Sequence, residues 1–193
     1  MKQMSSAVQQ SKLVVISGPS GVGKSTLCRR LLGPLSAFLS VSATTRAPGK
    51  GEIDGTDYRF CSIDQFEQGI RNNEFLEYAQ VFGNYYGTPA KPVQQALAEG
   101  KTAILEIDVQ GGLQIKQKYP NVLLLFIAPP QPQTLLERME GRSRGEDDNS
   151  KNHRLRTAEH ELEIAQASYN RIIVNDNLDR AAEETLEIIR KHQ

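Results

Sequence analysis

Residues 13–26 read LVVISGPSGVGKST, an apolar run followed by a glycine-rich turn of the form GxxxxGKS/T. Glycines let the backbone curl until successive N–H groups point at one anion, and the helix predicted to follow adds the positive end of its dipole. Lys24 would reach the β- and γ-phosphates, and the Ser25 hydroxyl would bind Mg²⁺. The stretch therefore predicts a loop that binds a nucleoside triphosphate with Mg²⁺. Its candidate residues are Gly18, Pro19, Ser20, Gly21, Val22, Gly23, Lys24, Ser25 and Thr26.

The rest of the chain repeats the pattern of a short apolar run followed by a helical segment. The runs lie at 13–16, 38–41, 103–107, 122–127 and 172–174. Runs without polar alternation are typical of strands buried on both faces of a parallel sheet. From Leu178 onward, apolar residues instead recur with a helical period. The pattern predicts an α/β fold with three layers around a parallel central sheet.

Composition sets limits on the class of protein. The chain has 193 residues, which is the size of one domain, so we expect a single domain over 1–193. A hydrophobic share of 38% and a charged share of 24% exclude a disordered chain. The 23 basic and 23 acidic residues balance, so no broad positive surface for a nucleic acid is expected.

Cysteines, histidines and hydropathy indicate the compartment. Cys28 and Cys61 stand alone, without the spacing of a zinc site or a disulfide framework, which favours a reduced environment. The three histidines are too scattered to suggest a metal site. The first residues lack the apolar core of a signal peptide, and the run at 122–128 is too short to span a membrane. We expect a cytoplasmic protein without a membrane partner.

Two stretches interrupt the alternation of strands and helices. Residues from about 42 to 90 are rich in Gly, Thr, Tyr and charge, and their FGNYYGT is typical of a hairpin, so we expect an insertion with antiparallel strands. Residues from about 138 to 156 contain almost no apolar side chain. Such a segment is expected to be either a mobile lid or a solvated loop.

Two carboxylates follow the run at 103–107, where a second acidic element of a phosphate site is expected. Alternation along a strand would place Glu106 and Asp108 on the same side. Either could hold Mg²⁺ through water or orient a substrate, and the structural alternative is a carboxylate that caps the next helix. The phosphate-binding loop alone leaves open an ATPase, a GTPase or a small-molecule kinase, although no NKxD guanine motif of GTPases is visible.

The insertion combines hydroxyls, a guanidinium and phenols with one carboxylate. Arginine and tyrosine are groups that bind phosphate. Glu77 could accept from N1–H and the 2-amino group of guanine, while Ser42 or Thr88 could donate to O6. Adenine would instead present an acceptor to that carboxylate. The structural alternative is that these are ordinary turn and hairpin residues.

Five motifs in order carry a resemblance: GPSGVGKST, SVSATTRAPGKGEIDGTDYRF, EFLEYAQVFGNYYGT, ILEIDVQG and IVNDNLDRA. Together they resemble the guanylate kinase family over nearly the whole chain. The resemblance implies a nucleoside monophosphate kinase fold that catalyses ATP + GMP ⇌ ADP + GDP, and that also uses dGMP. It implies Mg²⁺ as the cofactor and ATP and GMP as the small-molecule substrates.

The resemblance also implies roles for individual residues. Arg46, Tyr58 and Tyr86 would contact the GMP phosphate, Arg138 and Arg142 would reach the transferring phosphate from the lid, and Arg154 would join them from the following helix. Asn175 would lie beside the adenine of ATP. The full set implied for GMP is Ser42, Arg46, Tyr58, Glu77, Tyr86, Thr88 and Asp108.

The chain departs from the family pattern at two places. Gly49 stands where the family usually has a second arginine, and Lys50 follows it. The lid is one residue longer than usual between Arg142 and Arg154 and carries an additional Arg144. The alternatives to a guanylate kinase are an inactive module of the same fold that binds proteins, and a P-loop kinase for another small phosphorylated acceptor. An intact Lys24 and Ser25 argue against the inactive module.

Overall fold

A computed structural model describes residues 12–81, 83–131, 133–135 and 148–192, with the backbone alone for 148–152. The strands are β1 (Leu13–Ser17), β2 (Phe38–Leu39), β3 (Ala43–Thr44), β4 (Arg59–Phe60), β5 (Phe75–Val81), β6 (Asn84–Pro89), β7 (Ala103–Glu106), β8 (Leu123–Ala128) and β9 (Arg171–Val174). The helices are α1 (Lys24–Leu35), α2 (Ile63–Arg71), α3 (Ala90–Ala98), α4 (Val109–Lys118), α5 (Asp148–Ser168) and α6 (Leu178–Lys191).

All five predicted apolar runs form the central sheet. Its order is β2-β7-β1-β8-β9, and every pair is parallel. The strand that leads into the glycine-rich loop, β1, is therefore central, and all five of its residues are buried. The predicted fold class, an α/β fold around a parallel sheet, is confirmed.

Helices cover both faces of this sheet. On one face, α1 and α6 pack through side chains such as Leu31 and Ile189 against Val14 and Ile16 of β1. On the other face, α3 and α4 pack against the alternate residues of the same strands. Burial of these apolar chains on both faces stabilises the three layers and holds the carboxyl ends of the strands at one edge.

The insertion forms a small mixed sheet with the order β4-β3-β6-β5. The predicted hairpin is present, because β5 and β6 pair antiparallel, with a register shift between Phe75 and Glu77. Strand β3 pairs parallel with β4 and antiparallel with β6. Stacked rings of Phe66 from α2 on Phe75 and Tyr85, at 4.3 and 5.1 Å, fasten the helix to this sheet.

The polar stretch predicted as a lid or loop through residue 156 is helical from Asp148 onward. The residues of α5 that pack against the central sheet lie further along the helix, where Leu162 and Ala165 contact Phe126. Once that part of α5 is anchored, each added residue gains one backbone hydrogen bond, so the helix extends toward the polar side. The lid before Asp148 lies outside the described residues.

Within the described residues, no helix is both long enough and apolar enough to cross a lipid bilayer.

Candidate active site

The loop between β1 and α1 has the shape that phosphate binding requires. Gly18, Gly21 and Gly23 have φ values of 147°, 80° and 99°, which side-chain-bearing residues rarely adopt. A Cβ atom on Gly18 would also lie 2.3 Å from the Ile127 carbonyl oxygen. Glycine is thus required both by conformation and by the close approach of β8. The N-terminus of α1 begins directly at Lys24.

Lys24 lies over its own loop. Its Nζ donates to the carbonyl oxygens of Gly18 at 2.5 Å and Pro19 at 3.0 Å. Burial lowers the pKa of the Lys24 ammonium, and the carboxylates of Glu106 and Glu161 oppose this shift. The Lys24 ammonium is therefore held against the loop carbonyls, near the carboxylates of Glu106 and Glu161.

Ser25 donates a hydrogen bond of 2.6 Å to Oε1 of Glu106. Glu106 is the last residue of β7, which pairs with β1, and Ser25 lies in the first turn of the helix that follows the loop after β1. A hydroxyl beside a carboxylate is a donor set that fits Mg²⁺, which usually takes one or two protein ligands and completes its shell with phosphates and water. Within the described residues, no cluster of three or more His, Cys, Asp and Glu forms a metal cage.

Asp108 has a different role in the structure from Glu106. Strand β7 ends at Glu106, so alternation along the strand does not extend to Asp108 as the sequence suggested. Asp108 instead caps α4, with its Oδ1 accepting from the Gly111 N–H at 2.7 Å. The predicted alternative of a helix cap is thus present at Asp108, whose contact with a substrate stays a prediction, and Glu106 is the carboxylate that contacts Ser25.

Asn175 lies beneath the phosphate-binding loop. It is 4% exposed, and its Nδ2 donates to the Val22 carbonyl at 2.8 Å. A Cβ on Gly23 would approach the same Nδ2 within 2.7 Å. The side chain, which follows β9, therefore fixes the loop conformation, a contact that the sequence did not reveal.

In the insertion, Glu77 and Thr88 form a buried pair. The two residues face each other across β5 and β6, and Thr88 Oγ1 donates to Glu77 Oε1 at 2.6 Å. Burial and, to a lesser extent, the charge of Asp108 raise the pKa of Glu77 to about 7, although Thr88 and Lys118 oppose the shift. A Cβ on Gly111 of α4 would lie 2.8 Å from Glu77 Oε2, so α4 closes one side of this pocket.

Three predicted phosphate contacts lie together in the same insertion. The Arg46 guanidinium carbon is 5.4 Å from the centre of the Tyr58 ring, and the Tyr58 and Tyr86 rings meet edge to face at 6.1 Å. Burial raises the pKa of the Tyr58 phenol. Ser42 precedes β3, and its carbonyl accepts from the Arg59 N–H at 2.9 Å.

The arginines predicted to act from the lid are only partly described. Arg154 lies partly buried on α5. Arg138 and Arg142 fall outside the described residues, and so does the additional Arg144.

Sequence reasoning missed four polar residues at this site. Tyr169 donates to Ser17 Oγ at 2.8 Å, and Ser17 donates to the Asp108 carbonyl at 3.1 Å, which connects the end of α5 to the two nucleotide regions. Among the described residues, nothing forms a hydrogen bond with the buried Oε2 of Glu161 on α5. Glu52 contacts Arg46. Ser17 and Glu52 lie within quoted stretches of sequence, but motif spacing cannot reveal contacts made across the fold.

A parallel sheet with a phosphate-binding loop after its central strand, and a small mixed sheet beside it, define the class of P-loop kinases. Within that class, the chain belongs to the guanylate kinase family, because the family model described as guanylate kinase matches residues 10–192. The resemblance read from the motifs is thereby confirmed.

Individual relatives agree with this assignment. The guanylate kinase of Clostridium acetobutylicum is 44% identical over 177 residues, which cover 92% of this chain and 84% of that protein. The guanylate kinase of Synechocystis sp. is 44% identical over 181 residues, covering 93% and 94%. The crystal structure of guanylate kinase from Anaplasma phagocytophilum matches with a TM-score of 0.77 and 32% identity, covering 96% of this chain and 87% of that one.

Proposed function

We propose that this protein transfers the γ-phosphoryl group of ATP to GMP, and to dGMP, to give ADP and the nucleoside diphosphate. The observation that carries the proposal is the buried Glu77–Thr88 pair in the insertion of a P-loop kinase. Guanine presents two adjacent donors, N1–H and the 2-amino group, that match a carboxylate. Thr88, or Ser42, would supply a hydroxyl to O6. Asp108, which caps α4 and whose charge acts on Glu77, would also contact GMP.

The phosphate of GMP would bind where Arg46 lies against Tyr58. A guanidinium gives a planar pair of donors, and phenols add single hydrogen bonds, so Arg46, Tyr58 and Tyr86 form a suitable phosphate site. The γ-phosphate of ATP would lie in the glycine-rich loop with Lys24. The two phosphates would then approach between the insertion and the central sheet.

Transfer needs no nucleophilic side chain. An oxygen of the GMP phosphate attacks the γ-phosphorus in line, one P–O bond forms as the bond to the β–γ bridging oxygen breaks, and ADP leaves with that electron pair. Lys24 would neutralise charge on the β- and γ-oxygens, and Arg46 would orient the attacking phosphate. Arg154, with Arg138 and Arg142, would add positive charge around the transferring group and help to exclude water.

The resident metal would be Mg²⁺. Ser25 would bind it directly, and Glu106, 2.6 Å from the Ser25 hydroxyl, would hold it directly or through water. When bound, Mg²⁺ supplies charge neutralisation to the triphosphate. Before nucleotide binding, Glu106 holds the Ser25 hydroxyl in a fixed orientation.

We place this reaction in the cytoplasm, because Cys28 and Cys61 are both unpaired thiols, and one of them is buried beside the phosphate-binding loop. No other partner than ATP and GMP is needed for the reaction.

A coupled assay of ADP release with GMP, AMP, CMP and UMP tests the function. We expect turnover with GMP to exceed turnover with AMP by about 10⁴ or more, because a buried carboxylate facing an acceptor is costly. Comparable turnover of another monophosphate would favour the alternative of a different acceptor. No turnover with any monophosphate, despite ATP binding, would favour an inactive module.

A further inference from the structure

Glu52 makes a specific contact with the predicted phosphate-binding arginine. Nη2 of Arg46 donates to both carboxylate oxygens of Glu52, at 2.9 and 3.0 Å. The other terminal nitrogen, Nη1, donates to the Ala47 carbonyl at 2.8 Å. Glu52 therefore fixes one end of the guanidinium while the backbone holds the other.

The loop in turn fixes Glu52. Its Oε2 accepts from the Gly49 N–H at 2.6 Å. The pKa of Glu52 is held below its usual value, first by the Arg46 hydrogen bonds and then by the Gly49 N–H. The carboxylate thus stays ionised at neutral pH, and it joins both ends of the loop that runs from residue 46 to residue 52.

Aromatic rings define the orientation of the same guanidinium. Its central carbon lies 5.4 Å from the centre of Tyr58 and 5.9 Å from that of Phe60. Two bonds to Glu52 use Nη2, one bond to the Ala47 carbonyl uses Nη1, and the Tyr86 side chain is a further hydrogen-bond partner of Arg46. A guanidinium carries five N–H donors, so these contacts leave a donor for a second anion. Since an unpaired arginine samples many rotamers, Glu52 and the rings together restrict Arg46 to one orientation.

We propose that Glu52 is a positioning residue that orients Arg46 toward the phosphate of the acceptor nucleotide. The inference rests on the proposed function, because it takes the anion beside Arg46 to be the GMP phosphate. Glu52 itself does not contact the nucleotide, and its negative charge alone would repel a phosphate. We expect the gain from a fixed guanidinium orientation to exceed that repulsion, which makes the sign of the effect on GMP affinity testable.

The first experiment compares Glu52→Gln and Glu52→Ala with the unmodified protein. We expect affinity for GMP to fall about tenfold in both variants, because one charge-assisted pair no longer orients Arg46. Affinity for guanosine, which lacks the phosphate, and KM for ATP should stay unchanged. Glu67→Gln is the matched control, since Glu67 lies in the same insertion, 43% exposed, and pairs only loosely with Arg71 at 3.9 Å.

A double-mutant cycle shows whether Glu52 acts through Arg46. In the Arg46→Ala background, Glu52→Gln should cause no further loss of GMP affinity. Tighter GMP binding on removing Glu52 would overturn the proposal, because the carboxylate would then compete with the phosphate. An equal loss for guanosine, or a full tenfold loss without Arg46, would also overturn it and indicate a general effect on the loop.

Activity and binding of the unmodified protein distinguish a wrong role for Glu52 from a wrong proposed function. If the unmodified protein phosphorylates GMP but the Glu52 variants bind it normally, only the positioning role is wrong. If the unmodified protein neither phosphorylates GMP nor binds it more tightly than guanosine, both are wrong.

Discussion

Thr88 donates a 2.6 Å hydrogen bond to Glu77, and both side chains are almost fully buried between the insertion sheet and α4. Thr88 donates to the Glu77 carboxylate from its hydroxyl and from its backbone N–H. An ionised carboxylate has room for about four hydrogen bonds, so burying it with these two donors is costly. The N1–H and 2-amino donors of guanine would provide the missing partners. We therefore propose that the pair recognises guanine and that adenine, which presents an acceptor to the carboxylate, binds there poorly.

Glu77→Gln should erode the preference for GMP over AMP. A glutamine keeps the size of the side chain and one carbonyl acceptor, but it places an amide donor where guanine also has donors. We expect kcat/KM for GMP to fall by about 10² or more while that for AMP changes little. The measurement is steady-state kinetics with both monophosphates at saturating ATP.

The matched control is Glu74→Gln. Glu74 precedes the same strand, is exposed and contacts Asn72 at 3.0 Å, so its charge should not affect specificity. An unchanged ratio of GMP to AMP in Glu77→Gln would show that Glu77 does not read the base.

Binding of guanosine should depend on pH through Glu77. With the pKa raised to about 7 in the protein without nucleotide, part of the population is protonated at neutral pH. Guanine needs the ionised form, so affinity should rise with pH and weaken by roughly tenfold for each unit below 7. Guanosine is the right ligand because it lacks the phosphate, which titrates near pH 6. Titration calorimetry measures the affinity for guanosine between about pH 5.5 and 8. This range extends roughly one to two units on either side of that pKa.

The pH dependence of unfolding is an independent check on the raised pKa of Glu77. Stability should fall with rising pH, whereas affinity for guanosine should rise. Because the folded pKa exceeds the value of 4.5 for the free side chain, the native state binds more protons between these values. The contribution of Glu77 to stability is thus present at low pH and decreases as pH rises from 4.5 to about 7, by about 3 kcal/mol. The difference in unfolding free energy between the unmodified protein and Glu77→Gln should follow this change. A difference independent of pH would contradict the raised pKa.

Much of the fold could be predicted because its signals are local. Each of the five runs at 13–16, 38–41, 103–107, 122–127 and 172–174 lacks polar alternation, since helices cover both faces of the sheet. The hairpin followed from FGNYYGT, and Gly83 there has a φ of 79°. The phosphate-binding loop followed from residue types that its geometry requires.

The remaining features depend on distant contacts. Strands β3 and β4 have two residues each, too few to show any periodicity. Asn175 follows β9, and its contact with Val22 spans 153 positions, so motif spacing could not indicate it. Glu52 lies in a quoted motif, but its contact with Arg46 through both carboxylate oxygens depends on the folded conformation of the loop.

Asn175→Ala should weaken ATP binding and stability together. The change removes the hydrogen bond to the Val22 carbonyl and leaves a buried acceptor without this donor, which costs about 1–3 kcal/mol. The loop would lose its fixed shape, so KM for ATP should rise several-fold more than KM for GMP. Thermal unfolding and kinetics measure the two effects.

Asn177→Ala is the control of the same residue type. Asn177 caps α6 by accepting from the Asp179 and Arg180 N–H groups, and its loss should cost about 1 kcal/mol. KM for ATP should not change in that variant. If both variants raise KM for ATP equally, Asn175 has only a general structural role.

Lys24→Met should leave the fold intact and remove most phosphoryl transfer. Methionine has a similar length but no charge for the β- and γ-oxygens, so kcat should fall by about 10² or more. Circular dichroism checks the fold, and ADP release measures the rate. Lys91→Met, at an exposed position of α3, controls for the loss of one positive charge. Near-normal kcat in Lys24→Met would refute a catalytic phosphate-binding loop.

Gly49→Arg should tighten GMP binding. Gly49 does not have a left-handed φ, so a side chain is compatible with its backbone. Its Cβ would lie 3.1 Å from Glu52 Oε2, so the partly buried Glu52 carboxylate has to move by a few tenths of an ångström. The Gly49 N–H can still donate to Glu52 after the change. A second guanidinium should then contribute about 1 kcal/mol, the scale of a hydrogen bond to a charged group.

Two ligands, two salt concentrations and a neutral variant separate the causes of any gain. A gain confined to GMP and reduced by salt indicates a phosphate contact, because exposed charges are screened. Gly49→Gln adds a long side chain without charge, so it should not reproduce that gain. An equal gain for guanosine, or for Gly49→Gln, would show that stiffening of a glycine loop is responsible. If affinity for GMP does not change in any variant, Lys50 or another cation already binds the phosphate. The absence of the second arginine then does not weaken GMP binding.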